Sequence, residues 1–183
     1  MFHRYLIFTV CLIFVANCLY SQKEISLEKS VLVTNIKSKK FSKEFVTWVE
    51  KQTLMEVVFN NKTDSIKAGG KFIYENTIKY PGSTTIGRMY TNQTNGYIVY
   101  DIYILCREDH YSVRLCNFRH QSSSHGDKIE FGIITDSANP PKYLMLDYDA
   151  DWCTGVWTNL KEQCTGISSA FYMQLSGEMA NVK

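Results

Sequence analysis

The alternation of apolar and polar residues divides the chain into helical and extended stretches. Phe41, Phe45, Trp48 and Val49 fall at i, i+4, i+7 and i+8, with Lys43, Glu44, Thr47, Glu50 and Lys51 on the other side. That spacing predicts an amphipathic helix of about fifteen residues. From Asp151 onward, Cys153, Trp157, Leu160, Cys164, Ile167, Phe171 and Leu175 recur every three or four positions, a long helix with one apolar stripe and a place to bend at Gly166. Ser30 to Ile36 is short and β-branched, which predicts a strand. Glu56 to Phe59 and Ser65 to Asn76, joined by the turn-forming residues Asn60 to Asp64, read as a hairpin whose second strand is bulged or kinked at Gly69-Gly70. Tyr80 to Gly96 contains Pro81-Gly82 and many Ser, Thr and Asn residues, and reads as a loop or an extended edge.

Tyr97 to Cys106 and Tyr111 to Phe118 form the clearest hairpin. With Glu108-Asp109 as its two-residue turn, Cys106 faces Tyr111, Ile104 faces Val113 and Ile102 faces Leu115, all on one side of the sheet. The other side carries Asp101, Tyr103, Leu105, Ser112, Arg114 and Cys116, a mixed surface that water tolerates. His120 to Asp127 is a polar loop, and 128–150 is open to two readings. There Ile129, Phe131 and Ile133 alternate like a strand, Asn139 to Pro141 breaks the run, and Tyr143 to Leu146 either pairs or packs. The resulting order, β-α-β-β-β-β-α, makes a two-layer α+β sandwich: an antiparallel sheet with two helices on its apolar face.

Composition adds a compartment. The 183 residues are 45% hydrophobic with 3 prolines, which excludes a disordered chain and fits one folded domain. Met1 to Tyr5 has Arg4 as its only charge, Leu6 to Ala16 is an apolar run, and Asn17 to Gln22 is more polar. This is the layout of a secretory signal peptide, too short for the roughly 20 apolar residues of a membrane-spanning helix. Cleavage near Ser21 gives a soluble exported product, with residues 22–183 as the domain and an insert around 120–150. The competing reading takes Val15 to Cys18 as a loose lipobox, so that the chain meets a membrane only through lipidated Cys18. Loss of Arg4 brings the net charge from +2 to +1, far from the basic surface that nucleic acid requires, and no nucleic-acid partner is expected. Cys106, Cys116, Cys153 and Cys164 remain, and an oxidising compartment allows three complete pairings among them. Cys106 and Cys116 point to opposite sides of the sheet, which argues against a bond between them, and Cys153 and Cys164 lie about 16 Å apart along one helix, too far to bond while it is straight. If a disulfide forms, Cys106 with a helix cysteine is the pairing that the pattern favours, and the sequence does not choose among the three.

An exported N-terminus ending in Tyr20-Ser21-Gln22 is followed by a strand, a helix with Phe41-Ser-Lys-Glu-Phe-Val-Thr-Trp48, and Asp64-Ser-Ile-Lys-Ala-Gly-Gly70. The Tyr97 to Cys106 strand, a charged turn and Tyr111-Ser-Val-Arg-Leu-Cys-Asn-Phe118 complete the pattern. Together they resemble the secreted bacterial family described only as a domain of unknown function with a TBP-like fold, over residues 30–120 and the closing helix. The resemblance implies a TBP-like sheet with two helices on one face and carries over no catalytic residue. Ala68 stands where a more glycine-rich hairpin is expected, and 122–149 has no counterpart.

The candidate chemistry is sparse. Asp147, Asp149 and Asp151 alternate like the start of a calcium loop, but Trp152 and Thr158 stand where such a loop needs Gly and Glu. The competing reading makes them caps at the start of the last helix. His120 and His125 lie in the polar loop with Asp127, and His110 in a turn, too few ligands for a zinc site. Cys116 and His120 are a conceivable nucleophile and base, but four residues of strand hold them about 13 Å apart. Lys37, Lys39, Lys40 and Lys43 cluster at the first helix, where they oppose its dipole. No nucleophile elbow or phosphate loop is present and no cofactor is expected. The open sheet face, with Tyr103, Arg114 and Phe118, is the candidate surface for an envelope protein or small ligand, since Tyr, Phe and Arg favour interfaces. The expected function is therefore a non-catalytic binding module of the cell envelope, periplasmic or extracellular. An envelope hydrolase or metal-dependent enzyme, or a lipid-anchored surface protein, is the alternative.

Overall fold

The computed structural model describes residues 23–32, 38–61, 65–82, 84–107 and 110–180. The signal-peptide expectation, Lys37 and the Glu108-Asp109 turn lie outside the described residues. The elements in chain order are β1 (Leu27–Leu32), α1 (Ser38–Glu50), β2 (Met55–Asn61), β3 (Ser65–Tyr74), α2 (Thr84–Thr94), β4 (Gly96–Cys106), β5 (His110–Ser122), β6 (Gly132–Ile133), α3 (Lys142–Asp147) and α4 (Ala150–Ala180). They form an antiparallel six-stranded sheet in the order β1-β5-β4-β3-β2, with β6 on β5 beyond the end of β1. The α+β sandwich is as the sequence leads one to expect, with three differences of content. Residues 84–94 are a helix rather than a loop, 142–147 is a short helix, and 128–141 contributes only the two-residue β6.

One side of the sheet is covered by α1 and α4. Phe41, Phe45, Trp48 and Val49 are all buried, and so is the whole predicted stripe from Cys153 to Leu175. Phe41 stacks on Tyr111 of β5 at 4.3 Å, and Trp48 meets Phe171 of α4 edge-on at 5.6 Å, so the helices close on the sheet and on each other. The sheet contributes Ile98, Ile102, Ile104, Val113 and Leu115, each essentially inaccessible to solvent. β4 and β5 pair in the expected register, Cys106 with Tyr111, Ile104 with Val113 and Ile102 with Leu115.

That register changes once. Val99 faces Arg119 while Asp101 faces Cys116, so Tyr100 lies opposite two residues, Asn117 and Phe118. Asn117 takes the extra position with φ of 57°, a left-handed conformation that Asn tolerates better than most side chains. Such a bulge reverses which side later residues face. Before it the odd-numbered residues of β5 point into the core; after it Phe118, His120 and Ser122 do. Phe118 is 0% exposed and stacks on Tyr100 at 5.5 Å. Its expected place on the open face is therefore corrected.

Nor is β3 bulged at its glycines. β3 pairs continuously with β4 through Gly69 and Gly70, and the irregularity sits on β2, between Val57 and Phe59. Gly70 is needed for contact: a Cβ there would lie 2.5 Å from the Tyr100 ring, which occupies the space above it. The four cysteines are buried and none is in a disulfide, so the Cys106–helix pairing does not form. Burial pushes the Cys153 thiol up to about 11 and that of Cys164 up to about 12.

Candidate functional site

The side of the sheet away from the helices has no element over it among the described residues. Its strands present a row of directly opposed residues, Lys67 on β3, Tyr103 on β4, Arg114 on β5 and Glu28 on β1. Both cations lean on the central ring: Lys67 Nζ lies 5.2 Å from the Tyr103 centroid and the Arg114 guanidinium 5.1 Å. Cation–ring attraction of this kind orders long side chains that would otherwise sweep through solvent. Lys67 also pairs with Asp101 Oδ2 at 3.2 Å, and the same oxygen accepts hydrogen bonds from Asn117 Nδ2 at 2.8 Å and the Tyr103 hydroxyl at 3.4 Å. Hydrogen bonding to Tyr103 and then to Asp101 holds the Lys67 ammonium above its ordinary range. Val58 and Leu105 add exposed apolar contact near this polar centre. Of the three residues expected on the face, Tyr103 and Arg114 are there together, and Phe118 is not.

Cys116 sits on the same face beside Asp101's strand position, only 7% exposed. Burial raises its thiol above the ordinary range despite the neighbouring Arg114, so it is not the thiolate that nucleophilic chemistry needs. His120 is on the other side of the bulge and of the sheet. The placement of His120 in the polar loop is corrected: it lies on β5 and is fully buried, edge-on to Tyr74 and to Phe131. Its Nδ1 accepts a hydrogen bond from the Phe131 N–H at 3.1 Å, which requires Nε2 to carry the proton and donate to the Thr94 carbonyl at 2.8 Å. Desolvation lowers its pKa. His125 is exposed in the following bend, so the two imidazoles are not brought together.

The three aspartates do not assemble either. Asp149 Oδ1 accepts from the Trp152 N–H at 2.8 Å and its carbonyl accepts from Cys153 N at 3.0 Å, which makes it the N-cap of α4. Asp147 ends α3 and Asp151 is exposed in the first turn of α4. Among the described residues no group of three His, Cys, Asp or Glu side chains is placed to hold a metal ion. Asp149→Ala is expected to lower stability by about 1 kcal/mol, the usual worth of a cap. Thermal unfolding of the native protein should be the same with and without calcium.

What sequence reasoning missed is the end of α2. The carbonyls of Gln93, Thr94 and Asn95 receive Ser122 Oγ, Ile129 N, His120 Nε2 and Ser123 N, at 2.6 to 3.0 Å. The last turn of this helix is thus satisfied by β5 and the segment after it.

No family model matches the chain, and no curated protein matches it. Among solved structures, a TBP-like protein from Parabacteroides distasonis aligns over 87% of this chain and 95% of its own, with a TM-score of 0.54 and 13% identity. The fold is TBP-like. A DUF4468 family protein from Bacteroides ovatus aligns over 81% of this chain and 86% of its own at 12% identity, with a TM-score of 0.41. The TBP-like architecture accounts for a sheet with one bare face, and what that face does rests on its own side chains.

Proposed function

We propose that this chain is an exported, non-catalytic binding module whose open sheet face docks a protein partner in the cell envelope. The observation that carries the reading is the Lys67–Tyr103–Arg114 row, an ordered aromatic held between two cations on an uncovered sheet. Tyr and Arg are the residues over-represented where binding energy concentrates, and Val58 and Leu105 supply apolar contact beside them. Acidic Glu28, Glu56 and Asp101 lie among the basic residues of the face, a mixture suited to a protein surface rather than to a phosphate backbone. The partner's contribution is carboxylates set around an apolar contact, because Arg114 has no carboxylate partner among the described residues. Export is supported by the Met1 to Gln22 layout, and intact mass of the mature chain, beginning at Gln22 or at a lipidated Cys18, tests it.

The docking reading is tested in two steps. In the isolated protein the Tyr103 ring should be broadened by a soluble paramagnetic chelate; a fully shielded ring would mean that the face is already covered, and the reading falls. A glutamate–tyrosine copolymer should then shift resonances of Tyr103, Leu105 and Arg114, with Tyr103→Ala/Arg114→Ala weakening the interaction about tenfold or more. Shifts confined to α1 or α4 would place any binding elsewhere.

A further inference from the structure

A second row crosses the open face one step from the first. Lys71 on β3, Val99 on β4 and Arg119 on β5 are directly opposed, so that the two cations stand two strand spacings apart, about 10 Å. The charge pattern is that of the Lys67–Tyr103–Arg114 row, but the middle position differs. There the π face of Tyr103 fills the gap between the cations. Here the middle residue is Val99, and the gap opens into a depression of about 390 Å³ that also takes in Glu56, Gly69, Asp101 and Asn117. Gly69 makes the depression possible: a Cβ built on it would find nothing nearer than a Val58 methyl at 3.9 Å. The bulge at Asn117 shapes the opposite wall, and β-bulges commonly re-aim side chains at such places.

The polar groups around this space are unequally committed. Arg119 has neither a hydrogen-bond nor an ion-pair partner for its guanidinium among the described residues, and Lys71 Nζ has only the Tyr97 ring, 5.4 Å away. The Asp101 carboxylate is already compensated through Oδ2 by Lys67 and Asn117, which leaves Oδ1 to accept a further hydrogen bond. Glu56 is a second exposed acceptor at the rim. Two uncommitted cations on either side of a small apolar floor call for an anionic group between them, and two spare acceptors call for hydroxyl donors on the same ligand.

We propose that the depression between Lys71 and Arg119 binds a small hydroxylated carboxylate of sugar-acid type, its carboxylate on Arg119 and Lys71 and its hydroxyls on Asp101 and Glu56. The volume is in the range of small-molecule sites and accommodates a monosaccharide-sized body. The inference deepens the open-face reading by giving that face a ligand subsite, and it rests on that face being free. It does not use the Tyr103–Arg114 contact, so the two can fail separately.

Galacturonate, galactose and inorganic phosphate, titrated separately into the full-length mature protein and followed by amide chemical shifts, test it. Galacturonate should give saturable shifts at Lys71, Val99, Asn117 and Arg119, and raised salt should weaken them. Galactose, lacking the carboxylate, should not saturate. Arg119→Gln should weaken galacturonate about tenfold or more, the worth of a charge-assisted hydrogen bond, while Tyr103→Ala leaves it unchanged. Absence of saturable shifts at these residues, or equal binding by Arg119→Gln, would overturn the assignment. Phosphate binding as tightly as galacturonate would overturn its hydroxyl part. If galacturonate fails while the copolymer still binds at Tyr103 and Arg114, the docking face stands without this subsite.

Discussion

Phe118→Ala is expected to cost about 3–5 kcal/mol in urea unfolding, the range for emptying a buried aromatic position. The ring is wholly inaccessible and stacked on Tyr100, and the carbonyl of the same residue accepts from Ile134 N at 2.8 Å, so the chain around it cannot easily collapse into the space. The denaturant slope should stay near the native value, since the fold is weakened rather than replaced. A change within about 0.5 kcal/mol, the usual size for a surface position, would instead put Phe118 on the open face and remove the parity change at Asn117. Tyr103→Ala, on the side of the sheet away from α1 and α4 and only half-buried, is the internal comparison, and its effect on stability should be clearly smaller.

The second large effect concerns His120. Replacement by Leu leaves the Phe131 N–H and the Thr94 carbonyl without their partner. Each buried orphan costs about 1–3 kcal/mol, so a loss of about 2–6 kcal/mol is expected. The same imidazole makes stability depend on pH. Its folded pKa lies below the ordinary value of about 6.5, so the unfolded chain takes up a proton first as pH falls. Stability is therefore fully present above about 6.5 and declines below it, with a limiting slope of about 1.4 kcal/mol per pH unit until the folded pKa is reached. The charge environment is simple, since Tyr74 and Phe131 face the ring and Glu130 is the acidic group that partly opposes the shift. Urea unfolding at pH 7 and pH 5 should show this decline in the native protein and a shallower one in His120→Leu. Equal slopes in the two would assign the acid sensitivity to other groups.

These two residues also mark where sequence reasoning stopped working. The core hairpin was legible because apolar residues alternate without a break from Ile98 to Cys106 and from Tyr111 to Leu115, and a two-residue turn leaves one register. One left-handed Asn then reverses the parity, and nothing in the apolar pattern announces it. The only available signal was chemical: Asn is among the few side chains that accept positive φ. The helix α2 was hidden for a different reason. Thr, Asn and Gly, residues of modest to poor helix propensity, make up more than half of its sequence, and only Thr94 of it is buried. What holds its last turn is donated from β5 and residues 123–129, more than twenty-five positions away in the chain for each contact to Gln93, Thr94 and Asn95. Tertiary hydrogen bonds of this kind override local preference and leave no periodic trace. On the open face, Tyr103 and Arg114 were placed correctly by alternation, but the Lys71–Arg119 row was not, because Arg119 lies beyond the bulge.

The buried thiols give the molecule a property that its ion pairs and aromatic contacts do not. With no disulfide among Cys106, Cys116, Cys153 and Cys164, the described residues hold no covalent tie for a reductant to cut, and a reductant should leave their stability unchanged. Cys153 and Cys164 are 0% exposed, with thiols held protonated by burial. An alkylating reagent reaches them only when the packing around α4 opens. Their rate of labelling thus acts as a clock for the opening of this domain, with the reporting thiols already written into the chain.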